Sequence, residues 1–266
     1  MPPAAPATSS LSLALPCYNE ADCLGETVPP LCAAFAAAGV DLELILVDNG
    51  SSDGTAQVID ALIERGLPVT KEVVRVNQGQ GLGILTGLAA ATREYVGYVC
   101  ADGQVAPNDV VRVFEAARDA ETPVLAKARR RDRDDGWQRR IVSFVYNTLM
   151  TVLFFRIGSR DINGNPKILP VSAARSMELQ SRDWFLEAEV MLKAAHLRLP
   201  IVEVGVDGLP RAGGKSHVRW ATIVEFVGNI LRYRFGGPWR EWKSRHIRPQ
   251  AARAEDPSPA SSARSA

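Results

Sequence analysis

The chain has 266 residues, 46% hydrophobic and 23% charged, with a formal net charge of +1. That length suits one large domain or two small ones with a sizeable core, and so small a charge excludes a global field drawing the chain toward nucleic acid. Four cysteines (Cys17, Cys23, Cys32 and Cys100) form no CxxC and share no ligand spacing with the three histidines. This speaks against a zinc site and for reduced thiols in a cytoplasmic setting.

The opening MPPAAPATSS has no basic residue ahead of an apolar core, so it reads as a disordered N-terminus (1–10), not a signal peptide. Next come a strand at LSLAL (11–15), a helix over 24–38, a strand at LELILV (42–47) and a helix over 55–65. A strand at 69–76, a helix over 82–93, the strand YVGYV and a helix from Pro107 through Ala120 continue the series. Near-continuously apolar strands, each followed by a helix, imply an α/β fold with a mostly parallel sheet covered on both faces.

The second half is less regular, with strands expected at 122–126 and 200–206 and a helix near 184–196. The apolar helix 138–157 carries Ser143, Asn147 and Thr151 on one stripe. It fits either a buried core helix or one lying in a membrane interface, and no run reaches the ~20 apolar residues of a spanning helix. RWATIVEFVGNILRYRF (219–235) is apolar on one face and basic at its ends. The expected organisation is a catalytic domain over 11–218, a C-terminal amphipathic helical segment over 219–248 that can meet a membrane, and a disordered tail over 249–266.

The segments after the strands are PCYNE (16–20), DNGSSDGT (48–55), NQGQGLG (77–83) and ADGQ (101–104). In parallel sheets these segments share one edge, where ligands collect. Their carboxylates suit ribose hydroxyls, the donor edge of a base, or a divalent cation holding phosphates. Asp102 and Gln104 can offer oxygens to Mg²⁺ or Mn²⁺. Each piece also has a plainer reading: Asp53 as a helix cap, the glycines as a flexible loop, and Cys100 as a core thiol.

Taken in order, PCYNE, VDNGSSDGT, NQGQGLGILTGL and ADGQVAP resemble family 2 glycosyltransferases of the Rossmann-like GT-A fold, and within them the dolichyl-phosphate or polyprenyl-phosphate mannosyltransferases. The resemblance implies that Pro16, Tyr18, Glu20, Asp48 and Asp53 lie near base and ribose, and that Ala101 and Asp102 meet metal and diphosphate. The family usually carries Asp-Ala-Asp where this chain has Cys100-Ala101-Asp102. If the thiol faced the ion, it would favour Mn²⁺ slightly over Mg²⁺.

Residues 127–140 hold seven Lys or Arg against three Asp. The resemblance puts Arg129 and Arg140 at acceptor-binding positions, with the register open by one residue. It aligns DINGNPKILP (161–170), and so Lys167, with an acceptor stretch, and sets Arg211 and Lys215 over diphosphate or acceptor phosphate. It also brings Glu187 in FLEAEVMLKA toward the donor sugar.

Displacing a nucleoside diphosphate needs cationic stabilisation of the leaving group. A sugar-hydroxyl acceptor would add a carboxylate base, for which Glu187 or Glu189 is available. A phosphate acceptor is already anionic and needs arginine and lysine instead. The expectation is an inverting transfer of a hexose, such as mannose, from a GDP- or UDP-sugar to polyprenyl phosphate at the cytoplasmic membrane face. The alternatives are a soluble acceptor or a non-catalytic nucleotide-sugar binder. Nucleic acid is not expected, because the crevice is acidic and the basic runs lack interleaved aromatics.

Overall fold

The computed structural model describes residues 9–131, 159, 161–209, 228 and 230–246. Its strands are β1 (Ser10–Cys17), β2 (Asp41–Asn49), β3 (Val69–Val74), β4 (Tyr95–Tyr98), β5 (Leu125–Arg130), β6 (Lys167–Pro170) and β7 (Ile201–Val206). The helices used below are α1 (Ala21–Ala37), α2 (Thr55–Glu64), α3 (Gln80–Ala90), α4 (Pro107–Arg118), α5 (Val171–Met177), α6 (Leu186–Leu197) and α7 (Gly237–Arg245).

The strands form one sheet in the order β3-β2-β1-β4-β6-β5-β7. β6 runs antiparallel to both β4 and β5, and the other pairs are parallel. The expected mostly parallel sheet with helices on both faces is therefore present.

Side chains alternate across it with the period of two that a strand imposes. Leu11, Leu13 and Leu15 enter one buried cluster with residues of α1, α2 and α4. Ala14, Ile45, Val47 and Tyr98 enter the other with α3, α6 and α7. Ala14 is small for a reason. A methyl group added to Gly87 would sit 2.5 Å from the Ala14 Cβ, so α3 lies almost directly on β1. A methyl on Gly81 would meet the backbone of 181–183 at 2.5–2.6 Å. The glycines of NQGQGLG thus serve close packing, which corrects the reading of them as a flexible loop.

Two elements differ from expectation. The strand expected at 122–126 runs instead over Leu125–Arg130, carrying the first basic residues into the sheet. DINGNPKILP contains β6, whose four residues are too few to show a period. Residues 230–235 and 237–245 are helical on either side of Gly236, and Ile230, Trp239 and Trp242 are buried in the same cluster as α6. Trp239 and Trp242 stack at 5.5 Å, and the Lys193 ammonium lies 5.1 Å over the Trp242 ring. The helix expected at 138–157, Arg140, Arg211, Lys215 and the tail lie outside the described residues.

Candidate active site

The strand order reverses beside β1, with β2 and β3 on one side and β4 on the other. Such a reversal opens a crevice beyond the carboxyl ends of the strands. PCYNE and CADGQ leave the sheet on its two sides.

On the β2 side, two turns are sewn together. Asn19, in the left-handed region at φ 56°, accepts a hydrogen bond from Ser52 N at 2.8 Å, and its own N–H donates to Ser51 Oγ at 3.1 Å. Glu20 N donates to Thr55 Oγ1 at 2.9 Å. Pro16, Tyr18 and Glu20 are half-buried along this wall. Asp48 is 8% exposed and accepts from Ser51 N at 3.0 Å.

Asp53 does something else. Its carboxylate accepts from Thr55 N at 2.9 Å and from Ala21 N at 3.3 Å, tying together the starts of α1 and α2. Burial alone would raise its pKa, but these hydrogen bonds outweigh it and hold the group below its ordinary value. Asp53, expected near the ribose, is exposed and caps these two helix starts.

On the β4 side, Asp102 is 8% exposed and its Oδ1 accepts from Gln104 N at 3.2 Å, closing a turn through Gly103 at φ 69°. Ala101 is buried, with its carbonyl 3.5 Å from both Cys23 Sγ and Thr27 Oγ1. The Gln104 residue is exposed, while its carbonyl accepts from Leu209 N at 2.9 Å. Among the described residues no group of three or more His, Cys, Asp and Glu side chains could hold a metal. One carboxylate and one amide do fit an ion of the Mg²⁺ type, which keeps several waters and binds chiefly through substrate phosphates.

Cys100 lies two residues before Asp102 and is held by two side-chain amides. Gln80 Nε2 approaches its sulfur at 3.5 Å and Asn165 Nδ2 at 3.7 Å. Burial, then the nearby charges of Asp102 and Glu187, push the thiol up to about 12. Cys100→Asp would set a third carboxylate beside those two. We expect it to lose about 1–2 kcal/mol of stability in EDTA through like-charge repulsion and to regain that loss with millimolar Mn²⁺. Thermal unfolding in the two buffers reads this out, and equal melting in both would place the position away from any cation.

Behind the strand end lies a buried polar cluster. Glu187, 3% exposed on the first turn of α6, accepts from the Tyr98 hydroxyl at 2.9 Å, from Asn165 Nδ2 at 3.0 Å and from the ammonium of Lys167. Burial, followed by the Glu187 charge, raises Tyr98 well above its usual range, so it stays a neutral donor. Lys167 is 0% exposed and its ion-pair partner is Glu187. Lys167, expected at the acceptor, is turned by β6 into the core beside Glu187.

Glu189 is equally committed, to Lys193 at 2.6 Å and to the N–H groups of Gln180 and Ser181 at 3.1 and 2.8 Å. The adjacent arginines of β5 separate as strand neighbours must. Arg130 makes a two-pronged contact to Asp161 at 3.0 and 3.1 Å. Arg129 is half-exposed, 3.9 Å from Glu203. Residue by residue, Arg129 is the more open of the two.

Lys127, also in β5, is 0% exposed, with its ammonium 3.1 Å from the Ala128 carbonyl and 3.6 Å from Glu203. Burial, then repulsion from Lys167, pulls it down to about 8. An unfolded lysine titrates near ~10.4, so between these values the unfolded chain binds more protons than the folded one. Stability should rise as pH climbs through that window, by at most about 3 kcal/mol. Urea unfolding at a series of pH values should show the rise in the wild type, and Lys127→Met should lack that part of it.

Sequence reasoning took Tyr98 for core and passed over Asn165 and Gln80. The polar run NGN ahead of β6 was the available sign for Asn165.

The model of the family described as "Glycosyl transferase family 2" matches residues 12–182. The chain belongs to that family. A curated relative, the undecaprenyl-phosphate 4-deoxy-4-formamido-L-arabinose transferase of Edwardsiella ictaluri (strain 93-146), is 35% identical over 141 residues, 53% of this chain and 43% of that protein. The protein of the same name from Sodalis glossinidius (strain morsitans) is 32% identical over 141 residues, 53% of this chain and 43% of its own. The chain thus spans less than half the length of these relatives.

Among solved structures, glucosyl-3-phosphoglycerate synthase from Mycobacterium tuberculosis, in complex with Mn²⁺, UDP and phosphoglyceric acid, aligns with a TM-score of 0.68 at 21% identity, covering 86% of this chain and 80% of that one. Mannosyl-3-phosphoglycerate synthase from Rubrobacter xylanophilus aligns at 0.59 and 17% identity, covering 91% and 77%. This family 2 chain therefore has the GT-A fold.

Proposed function

We propose that this chain moves a hexose from a nucleotide diphosphate sugar onto the phosphate of a polyprenyl phosphate, with inversion, at the cytoplasmic face of a membrane. The observation that carries the reading is the state of the two carboxylates a hydroxyl acceptor would need. Glu187 and Glu189 are 3% and 1% exposed, and each is bonded to a buried lysine and to further donors. A carboxylate so neutralised and enclosed is a poor proton acceptor, whereas a phosphate oxygen needs no deprotonation. The partial likeness to transferases named for undecaprenyl phosphate supports the same acceptor class.

In this reading Pro16, Tyr18, Glu20 and Asp48 hold the nucleoside, whether uridine or guanosine. Asp102 and Gln104 hold Mg²⁺ or Mn²⁺. Such an ion, when bound, neutralises charge building on the departing diphosphate. Arg129 meets the acceptor phosphate, with Arg140, Arg211 and Lys215 assigned to the two anions from sequence alone.

The proposed catalytic unit is 11–218, with 219–248 as its membrane-facing segment. Leu231 and Phe235, one helical turn apart, are 42% and 58% exposed next to Arg232 and Arg234, a composition suited to a headgroup layer. Among the described residues no helix is long and apolar enough to cross a membrane.

The test offers UDP- and GDP-hexoses with Mn²⁺ or Mg²⁺ to undecaprenyl phosphate, undecaprenol and 3-phosphoglycerate. Product should form with the lipid phosphate and not with the alcohol. Transfer to undecaprenol at a comparable rate would overturn the reading.

A further inference from the structure

The turn before β6 carries an oxygen without a donor. Asn165 Oδ1 is buried and has no hydrogen-bond partner among the described residues. The orientation of this amide is fixed by chemistry: its nitrogen lies 3.0 Å from Glu187 Oε1, and a carboxylate oxygen can only accept. Flipping the amide would press oxygen against oxygen, so the carbonyl is the end left over.

Asn165 as a whole is half-buried, and its amide lies beside the chain that leaves β4. Asn165 Nδ2 is 3.7 Å from Cys100 Sγ, two residues before Asp102. Gln80, the first residue of α3, reaches the same sulfur from the opposite wall at 3.5 Å. Two side-chain amides, one from the start of α3 and one from the turn before β6, thus converge on the end of β4, both spending N–H groups on the protein. Buried carbonyl oxygens rarely stay unpaired in native proteins, and one at a site edge calls for a donor from outside the chain. Phosphate oxygens and nucleobase carbonyls are acceptors and cannot supply it. A sugar hydroxyl can.

We propose that Asn165 Oδ1 accepts a hydrogen bond from a hydroxyl of the donor's hexose, making Asn165 a specificity-determining residue. The inference rests on the reading above, in which a nucleotide diphosphate hexose occupies the crevice. Glu187 and Tyr98 then act as positioning residues: Lys167 and Tyr98 pin the carboxylate, and the carboxylate holds the amide so that its oxygen faces the ligand. A site built to hydrogen-bond a hydroxyl rejects the analogue lacking it, because the buried oxygen is then left bare. Selection among hexoses at one ring position follows.

Calorimetry tests this with UDP, GDP, UDP-glucose, GDP-mannose and monodeoxy forms of the two sugar nucleotides, on the wild type and Asn165→Ala, with Mn²⁺ present. Wild type should lose about tenfold or more in affinity on deletion of one particular hydroxyl. Asn165→Ala should bind that deoxy form and its parent alike and keep wild-type affinity for the bare nucleotide. Equal weakening of bare and sugar-bearing nucleotides would make Asn165 merely structural and overturn the inference, as would unchanged discrimination.

Should Asn165→Ala not fold, the wild-type side-chain amide resonance of Asn165 serves. It should shift with the sugar nucleotide beyond its shift with the bare nucleotide, and identical shifts would refute the contact. Failure of the wild type to bind any of these nucleotides would instead bring down the functional reading itself.

Discussion

Asp102→Asn is expected to lower sugar transfer by about 10²–10³-fold while leaving the fold intact. The isosteric amide still accepts from Gln104 N, so the turn after β4 survives. What disappears is the anionic oxygen at this strand end. Cys100, two residues back, is a poor substitute, because burial is the largest influence raising its pKa. With one charge fewer, the crevice should hold Mn²⁺ far more weakly in the presence of UDP. Kinetics across an Mn²⁺ titration measure this, with a melting temperature confirming the fold. A loss smaller than tenfold would mean that no cation works through this side chain.

Glu187→Gln should destabilise the protein by about 3–5 kcal/mol, because it strands the Lys167 ammonium in the core without its counter-charge. Lys167 cannot turn to water: it is 0% exposed, 5.6 Å above the Tyr98 ring, and repels Lys127. Adding Lys167→Met removes the stranded charge and should recover most of the loss. Chemical denaturation of the two single variants and the double variant gives the coupling directly. The same double variant speaks to mechanism. Removing a general base costs about 10²–10⁴-fold, whereas a group that only positions the sugar should cost the double variant about tenfold once the fold is restored.

The first half of the fold was legible because its strands are apolar on both faces and its helices begin at turn residues. Leu11 to Leu15 and Leu42 to Val47 leave little choice but a covered parallel sheet. The second half was harder for a physical reason: its charged residues read as contacts to donor and acceptor, not as partners of one another. Lys127, Lys167, Glu187, Glu189 and Lys193 are all buried, and each is paired with another charged group of the chain. Apart from the i,i+4 pair of Glu189 and Lys193, such pairing is made across the fold, between residues 20 positions apart in the case of Lys167 and Glu187, so spacing does not announce it. β6 was hidden for the same reason, since a lysine opens it.

The site was legible by strand ends more than by residues. Asp48 and Asp102 lie at or just past strand ends, and Asp53 bonds the starts of α1 and α2. The contribution of Asn165 depends on which end of an amide a distant carboxylate selects. Only coordinates reveal that.

The central claim is that a phosphate, needing no base, attacks the sugar. Phosphorus NMR of the wild-type reaction with undecaprenyl phosphate, a nucleotide hexose and Mg²⁺ tests it most directly. The acceptor's monoester resonance should be replaced by that of a phosphodiester as nucleoside diphosphate appears. An unchanged monoester signal while the hexose moves to a hydroxyl acceptor would contradict it.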